Sequence, residues 1–233
     1  MEELVLFILR WIHFLAGVTW IGILYYFNFV QTPFFAETEA PVRSGAIIKL
    51  VPRALWWFRW GAMFTFLAGI IIYLHKMGQS GADFFTTNYG VAITIGGLMG
   101  TIMFLNVWLV IWPAQQVVIA STTQVAQGGQ ALPEAAARAR RAALASRTNT
   151  VFSVPMLFYM GAASHYGGLV GQTSGGAATA LLLVTTLIIA AVEANALVGT
   201  QGPTKKPLDS VSGALWFGFI LTFVLWGVVK IMA

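Results

Sequence analysis

Cysteine is absent from this 233-residue chain, which excludes disulfides, thiolate-held metals, iron–sulfur clusters and any C-x-x-C-H attachment motif. Charge is nearly as scarce: 9% of residues are Asp, Glu, Lys or Arg and 58% are hydrophobic. A soluble domain carries roughly 25% charged residues. A chain so poor in charge cannot cover a water-facing surface, so its solvent is lipid.

What is present is long apolar runs. Crossing a hydrocarbon core of ~30 Å takes about 20 residues as a helix. Stretches 4–30, 54–75, 90–112, 150–168, 178–199 and 211–232 reach that length. They predict an all-α, polytopic membrane bundle of six transmembrane helices, with residues 1–233 forming one domain. The first run opens with Met1-Glu-Glu, contains Arg10 and has no small-residue cleavage site, so it is expected to remain as a helix and not to be removed as a signal peptide.

The net charge of +5 does not indicate nucleic acid, because ten of the thirteen basic residues sit in connections between runs. Connections 31–53, 113–149 and 200–210 hold Arg43, Lys49, Arg53, Arg138, Arg140, Arg141, Arg147, Lys205 and Lys206, whereas 76–89 and 169–177 hold only Lys76. The Lys/Arg asymmetry predicts that the first set is cytoplasmic and that both termini lie on the outer side. Pro133-Glu134 followed by Ala- and Arg-rich sequence reads as a basic amphipathic helix over about 133–147, expected to lie on the cytoplasmic headgroups. A weaker segment of the same kind covers 35–53. Gly96 and Gly100 form a G-x-x-x-G pair, which predicts close helix packing.

The expected topology puts all three histidines in the outer half of the membrane. Ionisable residues at such depth are costly and usually functional, and imidazole is a common haem ligand. His13 is followed by Gly17 and His165 is preceded by Gly161, so each imidazole has a glycine one turn deeper on its own helix face. A flat macrocycle needs that gap. His13 and His165 are therefore the candidate ligands of a non-covalent haem b, with Gly17 and Gly161 flanking it. His75 has Ile71 and Ile72 at the equivalent places and is the weaker ligand candidate. The plain alternative is one interfacial histidine and one interhelical hydrogen bonder.

A second constellation falls at the cytoplasmic ends of the runs: Asn28, Gln31, Arg59, Asn106, Gln115, Gln116, Arg147, Asn149, Glu193 and Asn195. Guanidinium forks and amides at one level suit a planar, heteroatom-rich anion. The structural alternative pairs Arg59 or Arg147 with Glu193 and leaves the amides capping helix ends. Trp56, Trp57, Trp60, Trp108 and Trp112 read as an interfacial belt.

Four motifs in order, W-I-H-F-L-A-G-V-T-W-I-G-I-L-Y-Y-F-N-F-V-Q, L-W-W-F-R-W-G-A, N-V-W-L-V-I-W-P-A-Q-Q and S-R-T-N-T-V-F-S-V-P-M-L-F-Y-M-G-A-A-S-H, closely resemble the membrane domain of bacterial urate oxidases that carry a cytochrome c tail. His13, Trp20, Gly22 and Tyr26 also look like helix 1 of the membrane protoporphyrinogen oxidases, in which the corresponding histidine is a haem ligand.

The resemblance implies a multi-pass protein of the bacterial inner membrane, active in purine degradation. It would oxidise urate to 5-hydroxyisourate and pass electrons outward. In this chain that implies substrate binding by Arg59, Asn106, Gln115, Arg147 and Asn149, with Glu193 and Arg147 catalytic and Glu193 the proton acceptor. The family's C-terminal cytochrome c is not in this sequence, so a separate c-type cytochrome is the expected acceptor. A homo-oligomer or a larger membrane complex is compatible with the same reading. The alternative is a non-catalytic membrane cytochrome b subunit or anchor of a respiratory complex, which needs the histidines but not the inner polar residues. A transporter ranks last, because the outer half offers little polar lining.

Overall fold

A computed structural model describes residues 1–171 and 173–233. Gln172, in the expected 169–177 connection, lies outside them. The described residues form nine α-helices: α1 Glu2–Tyr25, α2 Thr32–Glu37, α3 Ala40–Lys49, α4 Val51–Ser80, α5 Asn88–Leu105, α6 Trp112–Ala126, α7 Ala135–His165, α8 Gly175–Leu197 and α9 Val211–Met232. Tyr26–Gln31 and Asn106–Ile111 are π-helical and join α1 to α2 and α5 to α6 without a break. Thr87, Ser174 and Ser210 cap α5, α8 and α9 by accepting from Gly90, Ala177 and Gly213 backbone N–H groups.

Among the described residues, five helical stretches are long and apolar enough to cross a bilayer: Glu2–Glu37, Val51–Thr86, Asn88–Ala126, Gly175–Leu197 and Val211–Met232. The sequence suggests six. The remaining expected span, 150–168, falls on the C-terminal half of α7, where Thr148, Asn149, Thr150, Ser153 and His165 dilute the apolar run. Those polar residues, apart from the exposed His165, are buried. In lipid the polar side chains turn inward, and α7 accordingly sits at the centre, packed on α5, α6, α8 and α9. At the other extreme, α1 points Leu4, Val5, Phe7, Ile8, Trp11, Phe14, Leu15 and Val18 outward.

Two boundaries differ from the sequence reading. The expected helix ending at 112 continues through Pro113 to Ala126, because proline at the start of a helical turn lacks only an N–H that the adjoining π-segment can spare. The basic segment 133–147 is not a separate surface helix but the first half of α7. Its Ala- and Arg-rich sequence is strongly helix-forming, and Ala142, Leu144 and Ala145 bury one face of it. At 1.5 Å per residue α7 is about 46 Å long, well beyond a ~30 Å core, so it extends past the depth that a hydrocarbon core spans.

Helix contacts use small residues as lipid-embedded packing requires. A Cβ on Gly96 of α5 would lie 3.3 Å from the Met160 backbone nitrogen of α7, so the G-x-x-x-G face is a close approach. Pro155 in α7 frees the Val151 carbonyl, and Gly218 of α9 sits on it: a Cβ there would come within 2.9 Å of that oxygen.

Both chain ends lie at one end of the bundle. Glu2 accepts from Gln79 at 3.0 Å, Asn88 bonds the Tyr166 carbonyl and the Val170 N–H, and Lys230 donates to the Gly168 carbonyl. At the opposite end Arg140 pairs with Asp209 at 2.8 Å. On the topology expected from the Lys/Arg asymmetry the first is the outer end and the second the inner end.

Candidate functional site

The inner half of the bundle is organised by the two π-segments. Each buries an asparagine, Asn28 and Asn106, and each delivers it to α7. Asn28 Nδ2 donates to Ser146 Oγ at 2.9 Å, and Asn106 Nδ2 donates to Asn149 Oδ1 at 2.9 Å. The Asn106 amide also donates to Glu193 Oε2 of α8 at 3.1 Å, and Asn149 Nδ2 donates to the Met103 carbonyl at 3.0 Å. Asn149 is fully buried. A π-turn widens the helix by one residue and re-aims a side chain, which is why such turns concentrate at functional sites.

Neither arginine pairs with Glu193. The two ion pairs among the described residues are His75–Glu2 and Arg140–Asp209, so the pairing of Arg59 or Arg147 with Glu193, open from sequence, is not present. Arg59 instead stacks its guanidinium 3.6 Å from the Trp112 ring centroid and 5.3 Å from that of Trp108. Arg147 is 7% exposed. Two residues apart, Arg147 and Asn149 leave α7 about 200° apart around the helix. The inner polar residues therefore resolve into separate groups: Asn106, Asn149 and Glu193 on α5, α7 and α8; Arg59 against the tryptophans; Arg147 on the other flank of α7. Gln115 is half-buried on α6, and Asn195 donates to the Thr204 carbonyl at 3.1 Å, away from Glu193.

Several buried polar atoms at this level have no partner: Gln31 Oε1, Arg59 Nε, Trp108 Nε1, Arg147 Nη1 and Thr148 Oγ1. Four of these can donate and one is an acceptor. Buried polar groups are rarely left unpaired, so their concentration at one depth marks a place where a polar ligand or waters belong.

The outer half holds the histidines. His13 Nδ1 lies 2.9 Å from the Thr65 backbone carbonyl of α4. A carbonyl only accepts, so Nδ1 carries the proton and Nε2 presents its lone pair. The ring is seated against Gly69: a Cβ there would come within 3.0 Å of His13 Cε1 and 3.1 Å of Nδ1. A Cβ on Gly17 would touch only Thr65, and one on Gly161 would meet open space. His165 is exposed near the end of α7 together with Leu157, Phe158, Gly161 and Ser164. His75 is 3.1 Å from the Glu2 carboxylate.

No contact joins His13 to His165. Tyr25 OH and Ser153 Oγ hydrogen-bond at 2.9 Å, which fixes antiparallel α1 and α7 at that level. His13 lies twelve residues outward from Tyr25 and His165 twelve residues outward from Ser153. The two helices do not keep step residue for residue, since the Asn28–Ser146 bond lies three residues from Tyr25 but seven from Ser153.

Sequence reasoning missed the seat of His13, because Thr65 and Gly69 are more than fifty residues away and nothing local marks them. It also read Trp108 and Trp112 as belt residues and passed over Ser146 and Thr148. A signal for the π-turns was present: Asn28 and Asn106 each precede a helical proline, Pro33 and Pro113.

Fold and site define a polytopic helical membrane protein with a buried polar cluster at one end and histidines near the other. Residues 73–198, more than half the chain, match the family described as urate oxidase N-terminal. The chain belongs to that family. The matched span includes Asn106, Gln115, Arg147, Asn149, His165 and Glu193, while His13 and Arg59 lie before it. No curated protein and no solved structure matches the chain.

Proposed function

We propose that this protein is the membrane part of an oxidoreductase that oxidises urate, or a closely related purine-like anion, at its inner end and passes electrons through a haem b to a c-type cytochrome at the outer end. The observation that carries the reading is the Glu193 carboxylate held by the neutral Asn106 amide, with no cation beside it, in a chain of the urate oxidase N-terminal family. An unpaired carboxylate there has an oxygen free to take a proton.

Oxidising urate to 5-hydroxyisourate adds the oxygen of one water and releases two protons and two electrons. In this reading Glu193 accepts a proton from the attacking water or the substrate. Asn106 keeps its Oδ1 to accept from the heterocycle's edge, Asn149 holds the Asn106 amide in place, and Arg59 and Gln115 border the site. Arg147, on the far flank of α7, acts through its buried positive charge, which favours an anion nearby in a low-dielectric setting.

The residues fit a haem on two counts. His13 has the tautomer a ligand needs, its Nδ1–H held by a carbonyl and Nε2 free. Gly161 leaves open space where a macrocycle would pass. His13 and His165 would hold the iron, and the group would supply a one-electron carrier between the two ends. Asn28 and His13 are fifteen residues apart on one helix, about 22 Å at 1.5 Å per residue, and the width of the carrier shortens that gap.

A second reading is favoured by the saturation of Asn28 and Asn106 by protein partners: a cytochrome b subunit that conducts electrons and binds no substrate. Changing Arg147 to Ala separates the two. The enzyme reading expects urate-dependent reduction of cytochrome c to fall by at least about tenfold, the value of one buried charge contact, with the haem spectrum unchanged. Unaltered turnover, or none in the parent protein, supports the conduit.

A further inference from the structure

The last carbonyl of α8 and two carbonyls of the chain just beyond it face three cations. Arg141 Nη1 donates to the Leu197 carbonyl, Lys205 Nζ donates to that of Val198 at 2.9 Å and reaches Asn195 Oδ1 at 3.5 Å, and Arg140 Nε donates to that of Thr200 at 3.1 Å. From sequence these residues are only part of the basic inner face. Folding gathers them from the first half of α7 and from the 3-10 turn Pro203–Asp209 onto one helix terminus. Lys205 is the unusual member, a lysine 3% exposed whose hydrogen-bond partners are all neutral.

Cations at a helix C-terminus are ordinary as far as the helix can neutralise them. The terminus supplies about half a negative charge. Asp209, 2.8 Å from Arg140, supplies one more, and among the described residues no other carboxylate pairs with any of the three. Three positive charges thus face about one and a half negative ones. Burial, with Arg141 and Arg140 adding repulsion, holds the Lys205 ammonium below the usual lysine range, as expected for a locally uncompensated site. Arg138, one turn before Arg141 on the same helix, and Lys206 are exposed beside it.

We propose that Arg138, Arg141, Lys205 and Lys206 form a binding site for a phosphate-bearing anion. A phosphate group has the compact negative charge that the surplus calls for and several acceptor oxygens for guanidinium and ammonium donors. Its source is the headgroup of an acidic phospholipid in the inner leaflet or a soluble phosphate. The site lies two residues beyond Asn195 and one helical turn beyond Glu193 along α8, and it is independent of the haem and of the substrate.

The test uses the full chain, delipidated in a neutral detergent, followed by thermal unfolding and native mass spectrometry. Phosphatidylglycerol is expected to raise the unfolding temperature and remain bound in the spectrum, while phosphatidylcholine does neither. Inorganic phosphate giving the same shift assigns the site to soluble phosphate, and phosphatidylglycerol acting alone assigns it to the lipid. Arg141→Gln should weaken the effective anion by at least about tenfold, as loss of a charge-assisted contact does. Lys206→Ala, at an exposed side chain with no partner, should weaken it by a smaller factor without disturbing the fold. The proposal is overturned if neither anion shifts the transition, if the neutral lipid shifts it equally, or if both variants respond like the parent chain.

Discussion

Along α1 and α7 the inner half is knit by side chains, Asn28 to Ser146 and Tyr25 to Ser153, while the outer half is not. There α1 turns to α4, with His13 on the Thr65 carbonyl and against Gly69, and the face of α7 that carries Leu157, Gly161 and His165 is left exposed. The two halves obey one rule of lipid-embedded packing. Polar groups that find protein partners are drawn together, and a stretch whose surface is glycine, apolar side chains and one imidazole has nothing to close on. The inner half holds polar groups that saturate one another apart from a few orphans. The outer half holds a preset imidazole on α1 and an exposed, open face on α7.

The sharpest way to break this contrast is at the outer half. His13→Ala should abolish bound haem b altogether while leaving helicity intact, read from the visible spectrum and circular dichroism of the purified protein. Full haem content in that variant removes His13 as a ligand. At the inner half, Glu193→Gln keeps an acceptor oxygen for Asn106 but takes no proton. Urate-dependent turnover should fall by about 10²–10⁴-fold, the usual range for a lost general base, with the haem spectrum unchanged. A drop in haem content instead of turnover would put Glu193 in a structural role.

Smaller effects sharpen the picture. Gly69→Ala places a methyl within 3.0 Å of the His13 ring and must push the imidazole off the Thr65 carbonyl. Loss of such an outer partner lowers metal-site affinity by about 10–100-fold. Haem titration of the apoprotein measures it, and an unchanged affinity would mean that the Gly69 seat does not position the ring. Smallest is Tyr25→Phe, which removes the bond to Ser153. Polar contacts between membrane helices average about 0.6 kcal/mol, so only a slight loss of thermal stability is expected, with turnover and haem retained. A large loss would show that this bond, and not the apolar packing of Trp20 and Leu24, fixes the register.

Much of the architecture was legible because lipid imposes a length and a polarity on each span. The positions of α1, α4, α5, α8 and α9 follow from apolar runs. Where the reading stopped short, a local signal was overridden by tertiary packing. Pro113 looks like a terminus, yet the π-turn before it carries the helix on. The arginines of 133–147 look like a surface helix, yet Leu144 and Ala145 continue directly into the buried core of α7. The site was legible as residue types and not as partners. Asn106, Asn149 and Glu193 stood out as polar residues at one depth, but their joining depends on contacts spanning forty to ninety residues. Arg147 and Asn149 were grouped by depth alone, and the helix turn between them separates their directions. The seat of His13 on α4 left no trace in the sequence around His13.

The central claim is that electrons from a urate-like anion at the inner polar cluster reach a haem held between His13 and His165. Its most direct test is the visible spectrum of the detergent-purified, oxidised protein under anaerobic conditions, before and after urate, with dithionite as the full-reduction control. The account predicts that reduced b-type bands appear on adding urate alone. A spectrum that changes only with dithionite, or one without haem absorption, contradicts it.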